Sequence, residues 1–260
     1  MTRLIRVELL KLATVRASYL LLAAATALTA LFASLEASRA GTKNLAPLST
    51  SAGFTAVITG GAWELLLATV LGVLISSGEF RHATASLTYL AQPRRGRVLT
   101  AKLAAGACAG AVFGLAGYLV TGAAALGFLA ARGGQLPVGA GTLARYGIGY
   151  LVATALLAAA GVAVGALIRA QVAAVVVVLA WMMVAESVLG GLYPDVRPYL
   201  PYSAAATLTG TPLGGAAFGP AHGVTGGSPL PFAAAAALVA AVAVAFAAVA
   251  ARTTVRRDIT

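Results

Sequence analysis

Six uninterrupted apolar stretches, each about twenty residues or longer, constrain this chain more than any other feature of it. They run from Ala17 to Leu35, Phe54 to Ser76, Leu103 to Ala131, Arg145 to Ile168, Val172 to Leu192 and Leu230 to Ala251. A hydrocarbon layer about 30 Å thick is crossed by about 20 helical residues, so each stretch reads as a transmembrane helix. The composition agrees: 60% of the 260 residues are hydrophobic and only 10% charged, the reverse of a soluble domain's balance. The expected fold is therefore all-α, a polytopic membrane protein forming a single transmembrane domain over residues 1–260. A secreted disulfide scaffold, a disordered chain and a soluble enzyme are excluded.

An even number of spans puts both termini on one side, and the basic residues choose that side. Thirteen of the 18 Lys and Arg lie at the N-terminus, after the second span, after the fourth span and at the C-terminus. The other five are Arg39, Lys43, Arg132, Arg145 and Arg197. By the positive-inside rule the termini are expected in the cytoplasm of a cell whose plasma membrane holds the chain. The net charge of +11 is thus spent at span ends beside the lipid bilayer, and no nucleic-acid partner is expected. The first span is too long for a cleavable signal, whose apolar region is about 7 to 15 residues, and is expected to be retained. Before it, Ile5, Leu9 and Leu12 recur at helical spacing while Arg3, Lys11 and Thr14 fall elsewhere. Residues 1–16 therefore read as an interfacial helix.

Lipid gives helices no hydrophobic reason to associate, so small residues must allow close approach. Gly106, Gly110 and Gly114 in the third span and Gly161 and Gly165 in the fourth supply flat strips. Cys108, the single cysteine, reads as a packing residue. Two carboxylates lie well inside the apolar stretches, Glu64 and Glu186, where an ionised side chain normally needs a cavity or a partner. With Trp181, which sits mid-span beside Met182 and Met183, they are the candidates for a substrate pathway. Residues 193–229, rich in Pro and Gly, form a long outer loop between the fifth and sixth spans, and short helices dipping back toward the bundle are one reading of it. His82 and His222 fall on opposite sides and cannot share a metal. No metal site and no catalytic residue set is expected, because the spans hold no His and no Ser-His pairing.

Between the second and third spans, Phe80, Ala83, Leu87 and Leu90 repeat at three- and four-residue steps. This predicts an amphipathic helix too short to span, opened by Glu79 and ended near Pro93. The segment reads Glu79, Phe80, Arg81, His82, Ala83, Thr84, then Pro93, Arg94, Arg95, Arg97, Ala101 and Lys102. In this it resembles the ABC transporter type-2 permease family, whose first cytoplasmic loop typically runs Glu, aromatic, Arg, any residue, Gly, Thr, followed by Pro, Arg-rich residues and Ala-Lys. Ala83 stands where the family usually has Gly.

The resemblance implies the membrane subunit of an ATP-driven exporter, paired with a second permease chain and with separate ATP-binding subunits. In that setting Glu79, Phe80, Arg81, Thr84, Leu87, Arg94 and Arg95 would form the cytoplasmic coupling surface. The chain has no Gly-x-x-x-x-Gly-Lys-Ser/Thr loop to cradle phosphates, so no cofactor is expected in it, and ATP with Mg is expected in the partner. The cargo implied is hydrophobic or amphipathic. The alternative from another class is an ion-coupled secondary transporter or channel, using Glu64 and Glu186 as proton carriers and needing no ATPase.

Overall fold

The computed structural model describes residues 1–42, 45–60, 62–81, 90, 92, 94–211 and 228–253. Among them the chain is all-helical. In order come α1 (Thr2–Thr14), α2 (Arg16–Arg39), α3 (Ser51–Thr59), α4 (Ala62–Arg81), α5 (Arg95–Ala131) and α6 (Ala140–Leu167). There follow α7 (Gln171–Ala180), a π-helical turn (Trp181–Ala185), α8 (Glu186–Leu192), a 3₁₀ turn (Arg197–Tyr199), α9 (Pro201–Thr209) and α10 (Phe232–Arg252). Six helical stretches are long and apolar enough to cross a membrane: α2, α3 with α4, α5, α6, α7 through α8, and α10. Their outward faces carry Leu20, Leu31, Leu119, Val172, Val184 and Val244 exposed, as lipid-facing surfaces do.

The spans α4 and α6 form the buried centre, and glycine lets them meet. A Cβ on Gly161 would lie 2.2 Å from the Thr69 carbonyl oxygen, and one on Gly72 would lie 2.0 Å from that of Ala158. The expected strip on α5 also faces α6, since a Cβ on Gly110 would lie 2.4 Å from the Thr154 oxygen. Both glycine strips thus serve packing within one chain. Cys108 lies exposed on α5, outside the packed core where it was expected, because its helix turns the glycine face rather than this one toward α6.

The second span is broken where one continuous helix was expected. Helix α3, begun by Thr50, whose side chain accepts from the Gly53 N–H, stops at Gly60, and α4 begins at Ala62. Carbonyls freed by the break find partners: the Tyr150 hydroxyl donates to the Ile58 oxygen at 2.8 Å and Thr211 to the Thr59 oxygen at 2.7 Å. That satisfaction is what allows irregular backbone at depth. Downstream of the fifth span, α9 is packed into the core with Ala204, Ala205 and Leu208 buried. A Cβ on Gly149 of α6 would lie 1.9 Å from the Leu208 oxygen.

One boundary differs from the sequence reading in a way that matters. Glu79, Phe80 and Arg81 do not open a new helix; they are the last turn of α4. Nothing in Ser77 to Arg81 breaks a helix strongly, and continuing α4 brings the Glu79 carboxylate between two lysines. Residues 82–89, with Thr84 and Leu87, lie outside the described residues.

Candidate functional site

Where the end of α4 meets α1 and the start of α5, four charged side chains close into a ring. Glu8 and Lys11 come from α1, Glu79 from the last turn of α4, and Lys102 from the third turn of α5. Lys11 Nζ lies 2.8 Å from Glu8 Oε1 and 2.8 Å from Glu79 Oε1. Lys102 Nζ lies 3.0 Å from Glu8 Oε2 and 2.8 Å from Glu79 Oε1. Each cation touches both anions, so the ring is electrically neutral. Lys102 and Glu8 are only 4% and 6% exposed, and the Lys11 side chain is 42% exposed.

Local sequence explains how the ring assembles. Glu8 and Lys11 are one turn apart on α1, so both can reach one side. Tyr19 of α2 donates to the Ala13 carbonyl at 2.8 Å, which fixes the elbow at Val15 and so the direction of α1. Burial alone would lower the Lys11 pKa, but its hydrogen bonds to Glu79 and Glu8, and their charges, outweigh that and hold it above its ordinary 10.5. Its ammonium therefore stays charged across the neutral range.

The residues expected to form a coupling surface divide. Glu79 faces inward to the ring, and Phe80 is half-buried, with the Arg169 guanidinium 5.4 Å above its ring. That contact links the end of α4 to the turn between α6 and α7. Arg81 and Arg94 are exposed, while Arg95, in the first turn of α5, is half-buried. Three ring members, Glu8, Lys11 and Lys102, were not recognised from sequence as a site. Glu8 lies among Ile5, Leu9 and Leu12 on the apolar face of α1, and a lone carboxylate on such a face is the signal that marks it. Lys102, one turn beyond Leu99, carries the same signal on α5.

The substrate-pathway candidates also resolve into distinct settings. Glu186 is held by four donors: Trp181 Nε1 at 3.0 Å, the backbone N–H of Tyr202 at 2.8 Å and of Ser203 at 2.9 Å, and Ser203 Oγ at 3.1 Å. It caps the N-terminus of α9 from another helix. The π turn makes the Trp181 contact possible, because it brings residues five apart onto one face. Trp181 is itself exposed along one side. Glu64 is wholly buried; one oxygen accepts from Thr29 Oγ1 of α2, and the other has no hydrogen-bond partner among the described residues. Its carboxyl rests on Gly117, where a Cβ would lie 2.5 Å from Glu64 Cδ. A third carboxylate, Glu36, enters the apolar region because α2 continues to Arg39.

Among the described residues no group of His, Cys, Asp and Glu is arranged to hold a metal ion. Compared with known protein families and with characterised proteins, the chain matches none.

Proposed function

We propose that the chain is the membrane subunit of an ABC exporter in a bacterial plasma membrane, with cytoplasmic termini, working with a second permease chain and a separate ATP-binding subunit. On this reading α1 lies along the membrane surface, residues 193–229, α9 among them, connect the fifth and sixth spans on the outer side, and the segment 78–97 receives the partner's motion. The observation that carries the reading is the ion-pair ring. It bolts the two ends of the family-like segment, Glu79 and Lys102, to each other and to α1. A push on the segment would move α1 and the ends of α4 and α5 together. Arg81, at the end of α4, and Arg94, just before α5, are exposed and would present positive charge to an acidic partner surface.

The test is isolation of the chain from native membranes: a nucleotide-hydrolysing polypeptide should accompany it, and Arg81→Glu should lower export per ATP hydrolysed while the ring stays intact. Transport by the chain alone in vesicles, driven by an ion gradient, would overturn the proposal. One observation favours that ion-coupled alternative, the unpartnered buried oxygen of Glu64. Glu186, with four donors on its carboxylate, offers it little support.

A further inference from the structure

A cavity of about 560 Å³ opens at the elbow between α1 and α2, a volume within the range of about 300–1,000 Å³ usual for small-molecule sites. Leu12, Leu71, Leu74 and Ile75 make its walls apolar, while Glu8, Lys11 and Glu79 face it at one end. Gln171, at the start of α7, also lines it, and its Oε1 is buried without a hydrogen-bond partner among the described residues. Lys102 approaches the two carboxylates from another side and does not line this cavity.

The charges at the polar end are unequal in how firmly they are held. Glu8, Glu79 and Lys102 have side chains at most 12% exposed, whereas Lys11 is 42% exposed. Lys11 is therefore the one ring member whose withdrawal leaves a solvated group rather than a stranded buried charge. Without it, two carboxylates would share one lysine, and the cavity's polar end would carry a net negative charge. The place its Nζ occupies, 2.8 Å from an oxygen of each carboxylate, is an ammonium position filled by a tethered side chain.

We propose that this cavity binds an amphiphile with an amine head, whose ammonium displaces Lys11 between Glu8 and Glu79 and whose apolar body lies along Leu71, Leu74 and Ile75. The Gln171 oxygen is an acceptor for a second N–H. Carboxylate and phosphate heads are rejected by the two glutamates. Displacement cuts the Lys11–Glu79 link, while Lys102 still pairs with both Glu8 and Glu79 and the bound ammonium takes over the bridge that Lys11 made. That such a molecule is cargo rests on the exporter reading; the binding itself does not.

The experiment measures binding of radiolabelled dodecylamine to the full chain in nanodiscs of zwitterionic phospholipid, with protein-free nanodiscs as the blank and no ATPase present. Wild type should bind it saturably. Lys11→Met, which removes the tethered competitor, should tighten binding about tenfold or more, equivalent to about 1.4 kcal/mol, and Glu79→Gln should weaken it. Gly78→Leu reaches into the cavity from a position where an added Cβ meets nothing within 4 Å, so it should abolish binding without touching the ring. That variant keeps the test decisive if Lys11→Met does not fold. Dodecanol and dodecanoate should fail to compete. Absence of saturable binding, equal competition by dodecanol, or full binding to Gly78→Leu would overturn the proposal. Because no nucleotide enters the assay, binding can succeed where the exporter reading fails, and the reverse.

Discussion

The two ends of the helix bundle are held by different chemistry. At the end where α1 docks, charge meets charge, in the ring of Glu8, Lys11, Glu79 and Lys102. At the other end, side chains satisfy backbone. Arg132 donates to the carbonyls of Ala37, Ser38 and Ala40 at 2.9 to 3.1 Å, Tyr150 to Ile58, and Thr211 to Thr59. A backbone carbonyl cannot leave and has few competing partners, so that end is built to stay. An ion pair can exchange one partner for another of like charge, so the ring end is built to be rearranged. On the proposed reading, the ring end would take the partner's motion in, and the other end would keep the helices in register.

The sharpest way to break this comparison is to strand a buried charge. Lys102→Met leaves two carboxylates facing Lys11 alone and is expected to cost about 3–5 kcal/mol, read from denaturant unfolding of the purified protein. Adding Glu8→Gln should return part of that loss, a non-additivity expected only of groups in one network. At the opposite end, Tyr150→Phe leaves the buried Ile58 carbonyl without its donor and is expected to cost about 1–3 kcal/mol, with no rescue by any change in the ring. A smaller effect sharpens the contrast through pH. Because the folded pKa of Lys11 is raised, its contribution is whole below its ordinary value of 10.5 and is lost as pH rises beyond it. Hydrogen-exchange protection of residues 2–14, corrected for intrinsic rate, should therefore hold steady from Lys11's side between pH 7 and 9 and fall above that value. Protection of residues 51–59 should not follow it.

Much of the framework was legible in the order of residues, and the parts that were not share a cause. Length and apolarity locate each spanning helix to within a few residues at most ends, because crossing a hydrocarbon layer imposes a minimum on every segment separately. The glycine strips of α5 and α6 were legible for a similar reason, since a spacing of four places them on one face without reference to a partner. The break at Gly60 was not, because a glycine pair inside an apolar run is compatible with a continuous helix until Tyr150 and Thr211 arrive from elsewhere to take the freed carbonyls. Nor was the inward turn of Glu79, which on sequence alone opened a surface helix. Its environment is set by Lys11, 68 positions earlier, and by Lys102, on another helix.

Sequence by itself determined that this chain forms apolar helices of membrane-crossing length and which of their faces are small enough to meet, since those properties belong to each segment alone. Only the tertiary structure decided which charges are paired, which carboxylate is capped and which is left half-satisfied, and where a cavity remains. Pairing depends on distances between residues far apart in the chain, and a buried charge takes its meaning from the partner that packing brings to it.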